Sequence, residues 1–305
     1  MDALANPSKG DWANYIKGLV VELQTRGIAV PGFHAAIGST VPMSAGMSSS
    51  AALEMAMLLG LVRLAGADID WRDLARIGQA CENRYVGAKT GLLDQFSSLK
   101  GKAGCLVYSD FRSLEVANVP LPAGTALVVA NSMVKHNLTN EYNERRAACE
   151  EAVAVLQRGN PGIRALRDVP PNLLEAARGD LPELAYRRAL HVVGEIARVE
   201  AGVAALGRGD VAAFGALMIA SQHSSTHHFE NSCAEIDALT AIAREIPGGH
   251  GARLSGGGFG GITVHLVAGG QAADYCRALA DRYAERTGLR ADVMVCTAAD
   301  GATVI

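Results

Sequence analysis

A serine-rich turn with a glycine at Gly46, at residues 41–54, constrains the fold of this chain more than any other feature. It reads VPMSAGMSSSAALE and joins an apolar stretch ending at Val41 to a run of strong helix formers. We predict a strand before the turn and a helix that begins at its serines. The first N–H groups of a helix and its positive dipole end form an anion site, which small residues leave accessible. The alternative is a core helix capped by a serine.

A second turn, at residues 254–264, has five glycines in the six positions from Gly256 to Gly261. Gly256, Gly258 and Gly261 match G-x-G-x-x-G, but in dinucleotide-binding folds that fingerprint opens a helix. Here the β-branched run Ile-Thr-Val follows, so we predict a strand-loop-strand turn. A hairpin needs one or two glycines, and the others serve close backbone approach. The two turns together predict a cradle for the phosphates of a nucleotide.

Composition and charge limit the class of protein. The chain has 305 residues, 49% of them hydrophobic, which is enough for two domains with sizeable cores. Lys and Arg number 28 against 31 Asp and Glu, without a basic stripe, so nucleic acid is not an expected partner. Six scattered cysteines and the lack of a membrane-length apolar run lead us to expect a soluble, cytoplasmic protein with reduced thiols and no membrane partner. The oligomeric state is left open.

Helical and strand patterns without regular βα alternation predict an α+β fold. Apolar residues recur at helical spacing after Trp12 and from Trp71 to Tyr85, and helical patterns dominate from Tyr142 onward. We place a domain boundary near Leu121, which gives domains of residues 1–120 and 121–305. Short β-rich runs predict strands at residues 104–108, 126–130, 261–267 and 291–296.

Two acidic residues in apolar surroundings are candidates for chemistry. Glu82 follows Cys81 in the last turn of a predicted helix, and Asp94 lies between Leu93 and Phe96. Burying an unpaired carboxylate is costly, so Asp94 should have a partner, a metal ion or a substrate hydroxyl. A helix cap or a structural salt bridge is the alternative. Phosphoryl transfer needs N–H donors around the phosphates, a hydroxyl and a carboxylate on Mg²⁺, and an acid facing the nucleophilic hydroxyl.

Two groups of basic side chains have competing interpretations. The first group consists of His223, His227 and His228, with Glu230 close by. It could bind a metal ion, but it lacks an H-E-x-x-H order and a cysteine partner, so surface or loop histidines are favoured. The second could form an anion patch, but a solvated helix face is favoured. It consists of Lys135, His136, Arg145 and Arg146.

The two turns and five further stretches carry a family resemblance. Residues 41–54 are similar to the central P-x-x-x-G-L-S-S-S-A motif of the GHMP small-molecule kinases, and residues 255–263 resemble their carboxyl-terminal glycine motif. Within that superfamily the chain resembles the galactokinases, because matching stretches occur in the same order along nearly the whole chain. These stretches are WANYIKG at residues 12–18, GLLDQF at 91–96, NSMVKHN at 131–137, EYNERR at 141–146 and AADG at 298–301.

The resemblance implies ATP-dependent phosphorylation of the anomeric hydroxyl of a sugar, with galactose as the expected sugar. ATP is then the co-substrate and Mg²⁺ the cofactor. By matching position, Trp12 would flank the adenine, and Ser50 and Glu82 would hold Mg²⁺. The nucleotide phosphates would be wrapped by Gly46, Ser48, Ser49 and Ser50.

The resemblance also implies a sugar site and a fold. Asp94 matches the acid beside the sugar hydroxyl, as a general base or an electrostatic stabiliser, and Gly91 and Tyr142 match sugar contacts. The implied fold is the two-domain GHMP kinase fold, an S5-like amino-terminal domain packed on a ferredoxin-like carboxyl-terminal domain with the site in the cleft between them. The glycine motif would comprise Gly256, Gly257 and Gly258.

The chain departs from the galactokinase pattern in three places. Galactokinases begin with a segment that carries G-R-x-N-L-I-G-E-H-T-D-Y, which supplies an arginine and sugar-binding polar groups, whereas this sequence starts after it. The stretch between His136 and Tyr142 is one residue shorter than usual. Residues 224–233 read SSTHHFENSC where galactokinases more often have R-D-D-Y-E, and there the chain loosely resembles galacturonate kinases.

These departures set the alternatives. Galacturonate and arabinose are alternative sugars, and a non-catalytic, galactokinase-like sensor of a nucleotide or sugar is an alternative function. The presence of Asp94, Glu82 and Ser50 favours the enzyme, while the missing first motif favours the sensor or a fragment. From that missing motif we expect the 305-residue chain by itself to show little or no sugar kinase activity.

Overall fold

The structure is a computed structural model that describes residue 4 and residues 6–42, 46–88, 90–134 and 139–305, the side chains of the last range from residue 143 onward. The chain divides into two compact units. Unit 1 consists of Met1–Pro120 together with Ala298–Ile305, and unit 2 consists of Leu121–Thr297. The carboxyl-terminal residues therefore lie in unit 1 and not in the second domain, residues 121–305, that we predict from the sequence.

Helices and a β-hairpin form the described part of unit 1. Helix α3 continues into a π-helical turn at Cys81–Val86, so the helix predicted from Trp71 to Tyr85 is α-helical only as far as Ala80. The two strands pair antiparallel, with Cys105 opposite Pro120. The element bounds are α1 (Asn14–Thr25), α2 (Ser49–Leu64), α3 (Trp71–Ala80), α4 (Leu93–Lys100), β1 (Cys105–Asp110) and β2 (Glu115–Pro120).

The apolar faces of α1, α2 and α3 form the core of unit 1. Gly18 on α1 lies so close to Cys81 that a Cβ at Gly18 would be 2.5 Å from the Cys81 sulfur, and glycine permits this approach. The Cys81 thiol donates to the backbone carbonyl of Tyr15 at 3.1 Å. These contacts hold the segment that carries Glu82 against α1. Fully buried apolar side chains of this core include Leu19, Leu23, Met55, Leu58 and Ile77.

Residues 28–42 do not form the strand that we predicted before the serine-rich turn, and that prediction is wrong. Residues 31–40 are exposed, and they include Phe33 and Ile37. A strand requires a neighbour that pairs with its N–H and C=O groups. Within the described part of unit 1, β1 and β2 pair with each other and not with this stretch. The stretch is therefore irregular despite its apolar residues.

A four-stranded antiparallel sheet is the framework of unit 2, with the strand order β4-β5-β3-β6. The strands predicted at residues 126–130, 261–267 and 291–296 are confirmed to within one residue at each end. β4 pairs with β5, Ser255 lies opposite Ile262, and the glycine turn joins them as a strand-loop-strand unit, as predicted. The bounds are β3 (Thr125–Asn131), β4 (Gly249–Ser255), β5 (Ile262–Ala268) and β6 (Asp292–Cys296).

Two apolar clusters hold the helices of unit 2. Leu239 and Tyr275, from α9 and α10, pack with Val128 and Val267 of the sheet. Leu156, Ala185 and Ala189 belong to a second cluster, which joins α5 to α7. Helix α8 ends in a π-helical turn at Ser225–Phe229. The bounds are α5 (Thr139–Gly159), α6 (Pro171–Ala176), α7 (Glu183–Gly207), α8 (Val211–Ser224), α9 (Ala234–Ala243) and α10 (Ala272–Thr287).

The mixture of helices with antiparallel strands confirms the predicted α+β class. All six cysteines are free thiols. None of the helices in the described ranges has both the length and the apolar character that a membrane-spanning segment needs.

Candidate active site

The serine turn opens α2. The helix begins at Ser49, and its N-cap residue Ser48 has a left-handed backbone with φ 55°. Within the described residues the Ser48 side chain makes no capping hydrogen bond, so the serine-capped alternative is not supported. The first N–H groups of α2 have no partner inside the helix, and its dipole is positive at this end, so Ser49 and Ser50 lie where a phosphate would be stabilised. Gly46 is also left-handed, with φ 75°, and residues 43–45 lie outside the described residues.

Glu82 lies in the π turn after α3, and only 3% of the residue is exposed. Its carboxylate accepts hydrogen bonds from the Thr90 hydroxyl and, at 3.1 Å, from the side-chain amide of Gln95. Thr90 is held in turn by Asn83, whose side-chain oxygen accepts from the Thr90 N–H at 2.8 Å. A π turn redirects side chains by one extra residue and is frequent at functional sites. Adjacent residues of a helix point in different directions, yet here Cys81 and Glu82 are both buried.

Glu54 and Gln95 join Glu82 in one buried group that the sequence analysis did not single out. Both are fully buried, and the Gln95 amide donates to Glu54 Oε2 at 3.4 Å as well as to Glu82. Burial, and after it the negative charge of Glu82, raises the pKa of Glu54 to about 8. We call Glu54, Glu82, Thr90 and Gln95 the acidic cluster. The sequence did contain a signal for it, since Glu54 is the one acid in the otherwise apolar start of α2.

Asp94 lies in the first turn of α4, directly before Gln95. The residue is half-buried, and its side chain has no hydrogen bond or ion pair with any residue of the described ranges. The N-cap of α4 is Leu92 and not Asp94. The cap and salt-bridge alternatives for Asp94 therefore find no support among the described residues, and its carboxylate is available to a ligand.

Among the other predicted site residues of unit 1, Ser50 and Gly91 lie close in sequence to members of the acidic cluster, and Trp12 lies before α1. Ser50 lies one helical turn before Glu54, so both side chains project from the same face of α2. Gly91 directly follows Thr90 and is exposed. Trp12, which precedes α1, is 60% exposed, so its ring is open to stacking.

The acidic cluster fits a divalent cation. Glu82 is a buried acid whose two hydrogen-bond donors, Thr90 and Gln95, are neutral, and a buried negative charge is costly without a positive partner. Glu54 Oε1 is also buried and has no hydrogen-bond partner among the described residues. No three His, Cys, Asp or Glu side chains of those residues converge as metal ligands. A site with one or two carboxylates, such as those of Glu82 and Glu54, suits Mg²⁺, because proteins bind this ion through one or two carboxylates while water and substrate phosphates complete its shell.

The glycine loop, residues 256–261, is shaped by a close approach to Asn231. A Cβ at Gly258 would lie 2.0 Å from the Asn231 carbonyl oxygen, and the Gly258 φ is 86°, so glycine is required there. The Asn231 side-chain amide donates to the Gly257 carbonyl at 3.2 Å. A Cβ at Gly256 or Gly257, in contrast, would meet nothing within 4 Å. One part of the loop is therefore fixed to the protein, and the other part is open to a ligand.

Arg145 anchors the same loop, so the predicted solvated helix face is wrong for this residue. It is 8% exposed, and its guanidinium donates to the backbone carbonyls of Phe229 at 3.2 Å and Glu230 at 2.8 Å. The guanidinium also lies 4.9 Å from the ring centroid of Phe259, in the glycine loop, where cation–π attraction operates. The partners come from segments far away in sequence, which the local helical pattern could not indicate.

The histidine group lies at the end of α8. His223 and His227 are exposed, with ring centroids 4.3 Å apart, as in the surface interpretation. Glu230 does not pair with these imidazoles. It accepts instead from the guanidinium groups of Arg187 and Arg188 on α7.

The other basic candidates are only partly described. Arg146 is exposed and pairs with Glu150 at 2.9 Å, which fits the solvated helix face. Lys135 and His136 lie outside the described residues. The backbone of Tyr142 belongs to α5, but its side chain is outside them too, so its role as a sugar contact stays a prediction.

Family matches cover both units. The family described as GHMP kinases N terminal domain matches residues 14–102, and the family described as GHMP kinases C terminal matches residues 203–285. The galactokinase of Roseiflexus sp. (strain RS-1) is 42% identical over 291 residues, which are 95% of this chain and 74% of that protein. The chain belongs to the galactokinase family of the GHMP kinases. The galactokinase of Homo sapiens is 40% identical over 301 residues, which are 98% of this chain and 74% of that protein.

A solved structure extends the likeness of this galactokinase-family chain to its fold. The crystal structure of Lactococcus lactis galactokinase complexed with galactose has a TM-score of 0.91 and 29% sequence identity, and the match covers 100% of this chain and 79% of that one. The two-domain GHMP kinase fold that the sequence predicted is thereby confirmed. Asp94 and the acidic cluster lie within the amino-terminal family match, and the glycine loop lies within the carboxyl-terminal one.

Proposed function

We propose that this chain carries the nucleotide, metal and catalytic groups of a galactose 1-kinase, which converts ATP and galactose to ADP and galactose 1-phosphate. The observation that carries the proposal is the arrangement in unit 1 of a chain about 40% identical to galactokinases. There the unpartnered Asp94 directly precedes Gln95, which bonds to the buried Glu82. In this proposal, the residue that follows Asp94 therefore links the acid for the sugar to Glu82, the acid for the cation.

The nucleotide site is formed by backbone groups. In our proposal the phosphates of ATP bind the N–H groups at Gly46, Ser48, Ser49 and Ser50, where the start of α2 favours negative charge. The exposed ring of Trp12 stacks on the adenine. In unit 2, Gly256 and Gly257, next to the anchored Gly258, leave the open part of the glycine loop accessible to a phosphate.

Ser50 and Glu82 would hold Mg²⁺. When bound, the ion neutralises charge on the phosphate oxygens as the phosphoryl group is transferred. The protein's part is to keep the Glu82 carboxylate buried and oriented, and it does so through Thr90 and Gln95. Orientation matters because catalysis of phosphoryl transfer consists mostly of positioning and charge stabilisation.

Asp94 would face the anomeric hydroxyl of the sugar. Its half-buried carboxylate has no partner among the described residues, so it is free to accept a hydrogen bond from that hydroxyl and to take its proton or stabilise the charge that develops. Gly91, which lacks a side chain, leaves space for the sugar near Thr90, and Tyr142 is a further proposed sugar contact. The free thiols of the chain and its use of ATP support a cytoplasmic location.

A coupled ADP-release assay with galactose, galacturonate and arabinose tests the reaction and the sugar. It is run on the 305-residue chain and on this chain joined to the galactokinase segment that carries G-R-x-N-L-I-G-E-H-T-D-Y. We expect galactose to give the highest kcat/KM. A higher value for galacturonate or arabinose would overturn the sugar assignment. ATP binding without turnover of any sugar in either protein would favour the sensor.

A further inference from the structure

Gln95 occupies a position in the acidic cluster that its neighbours in sequence do not explain. It is fully buried in the first turn of α4, and its Nε2 donates to Glu82 Oε2 at 3.1 Å and to Glu54 Oε2 at 3.4 Å. An amide nitrogen has two hydrogens, so a single group can serve both acids. Gln95 therefore links α4, the π turn after α3 and helix α2.

The Gln95 amide lowers the electrostatic cost of burying Glu54 and Glu82 side by side. Two buried acids repel each other when both are charged, and that repulsion acts strongly away from water. A neutral donor between them stabilises both without cancelling the negative charge that attracts a cation. A lysine or arginine at this position would neutralise that charge and compete with a metal ion. An apolar residue would leave Glu82 with Thr90 as its remaining described donor.

The position also controls α4. Gln95 is flanked by Asp94 and by Phe96, whose ring packs edge-on against Trp71 with a centroid distance of 5.0 Å. With Gln95 and Phe96 both buried, the first turn of α4 is fixed on its inner side, and Asp94 beside them is left half-buried. The same amide that orients Glu82 therefore also fixes the turn that carries Asp94.

We propose that Gln95 is a positioning residue of the kinase reaction. Its carboxamide orients the Glu82 carboxylate as a metal ligand and ties that ligand to the helix that bears Asp94. Glu54 is the second anchor, which keeps the amide pointing at Glu82. The proposal rests on the proposed function, since it assigns Gln95 a role toward the Mg²⁺ that accompanies ATP.

Unfilled hydrogen-bonding capacity separates this role from simple core packing. Gln95 Oε1 and Glu54 Oε1 are both buried without a partner among the described residues. A polar group retained only for stability would have its partners, because a buried polar atom without one lowers the stability of the fold. Positioning of a charged ligand accounts for that cost.

The test is the effect of Mg²⁺ on ATP affinity, measured by calorimetry as the ratio of the ATP Kd without and with Mg²⁺. Gln95→Met keeps the length of the side chain and removes the amide, and Gln95→Asn keeps the amide but shortens its reach. The matched control is Leu61→Val, a buried residue of α2 in the apolar core. Melting curves followed by circular dichroism establish that each variant is folded at the assay temperature.

We expect the Mg²⁺ ratio to fall about 10-fold or more in both Gln95 variants, the scale on which partners of metal ligands act, and to stay at the wild-type value in Leu61→Val. If the substitutions affected stability alone, the melting temperature of all three variants would change and their Mg²⁺ ratio would stay at the wild-type value. If folded Gln95→Met and Gln95→Asn keep the wild-type ratio, Gln95 is not a positioning residue. If the wild-type protein binds no ATP, the proposed function fails first. If Gln95→Met does not fold, Gln95→Asn decides.

Discussion

The acidic cluster of unit 1 and a group of buried polar side chains around His265 in unit 2 are built differently. In unit 2, His265 is fully buried between Thr263 and Tyr275, with Nε2 2.7 Å from the Thr263 hydroxyl and Nδ1 2.9 Å from the Tyr275 hydroxyl. The Thr263 hydroxyl also donates to the carbonyl of Ala130 at 3.4 Å, so it accepts from Nε2–H while Tyr275 donates to Nδ1. We call these three side chains the imidazole cluster. It is neutral, and both ring nitrogens have partners.

The acidic cluster of unit 1 is charged and incomplete. Glu54 and Gln95 each keep one buried oxygen without a partner among the described residues. A closed, neutral network rigidifies a core, whereas an open one with negative charge keeps hydrogen-bonding capacity for a ligand. We infer that a buried polar group with complete hydrogen bonds stabilises the core, whereas one with incomplete hydrogen bonds serves a ligand. Changes in the acidic cluster should act on ligands and turnover, and changes in the imidazole cluster should act on stability.

The largest expected effect comes from Asp94, beside the acidic cluster. In a preparation that phosphorylates galactose, Asp94→Asn should lower kcat by about 10²-fold or more, because a positioned acid–base group contributes on that scale. The ATP Kd should not change, since the partner of Asp94 is the sugar hydroxyl. Steady-state kinetics and ATP titration measure the two effects, with Asp73→Asn as an exposed control. A near-normal kcat would make Asp94 a structural residue.

Removing either cation ligand should be the next largest effect. Glu82→Ala and Ser50→Ala should each lower the ATP affinity measured with Mg²⁺ by about 10-fold at least, because partners of metal ligands already act on that scale. Without Mg²⁺ both variants should approach the wild-type affinity. ATP titration with Mg²⁺ and with EDTA measures this. Equal affinities for all three proteins, with no dependence on the metal, would remove Ser50 and Glu82 from the site.

Removing a hydrogen bond from the imidazole cluster should lower the stability of the protein and leave its ATP affinity unchanged. Tyr275→Phe removes the hydroxyl that donates to His265 Nδ1, which leaves a buried nitrogen without a partner, and should lower the free energy of unfolding by about 1–3 kcal/mol. Urea unfolding followed by circular dichroism measures it, and the ATP Kd should equal that of the wild type. An altered ATP affinity with unchanged stability would contradict the assignment of this cluster to the core.

The two clusters should also differ in the pH dependence of stability. Burial lowers the pKa of His265 to about 3, so the stability that its neutral form contributes is lost as the pH falls from 6.5 toward 3. The pKa of Glu54 is raised to about 8 from an ordinary value of 4.5. Between these values the unfolded chain releases the Glu54 proton while the folded chain keeps it, so stability falls as the pH rises through this window.

Glu54→Gln should remove the second dependence. Relative to the wild type, the variant should gain stability from pH 5 to pH 8, because glutamine has no proton to release. Urea unfolding without nucleotide or metal, followed by tryptophan fluorescence, reports on unit 1, since both tryptophans, Trp12 and Trp71, lie there. A constant difference between variant and wild type across this range would show that the Glu54 carboxyl is ionised in the folded protein.

The features that sequence predicted well depend on short stretches of chain. The helix start after Gly46 and the strand-loop-strand turn around Gly258 follow from the backbone freedom of glycine and from the residue types beside it. Asp94 could be singled out because an acid among apolar neighbours is unusual wherever it occurs. Such signals are local, and therefore one sequence is enough to read them.

What sequence could not predict depends on partners far along the chain. Arg145 looks like a solvated helix residue until Phe229 and Phe259 bury it. Gln95 was missed because an amide next to a catalytic candidate is unremarkable until Glu54 and Glu82 are seen on either side of it. The stretch at residues 28–42 has apolar residues, but without a neighbour to pair with it is not a strand.

Residues at the carboxyl-terminal end of the chain complete the hydrogen bonding of unit 1. The Gly301 N–H donates to the carbonyl of Gly101 at 2.9 Å, and the Asp300 side chain accepts from the Ala103 N–H at 2.9 Å. A ribosome makes Gly101 and Ala103 early and their partners only after all of unit 2, so the first unit to emerge is the last to be completed. Premature termination within the last few codons would therefore remove hydrogen-bond partners from Gly101 and Ala103, which belong to the part of the protein that is synthesised first.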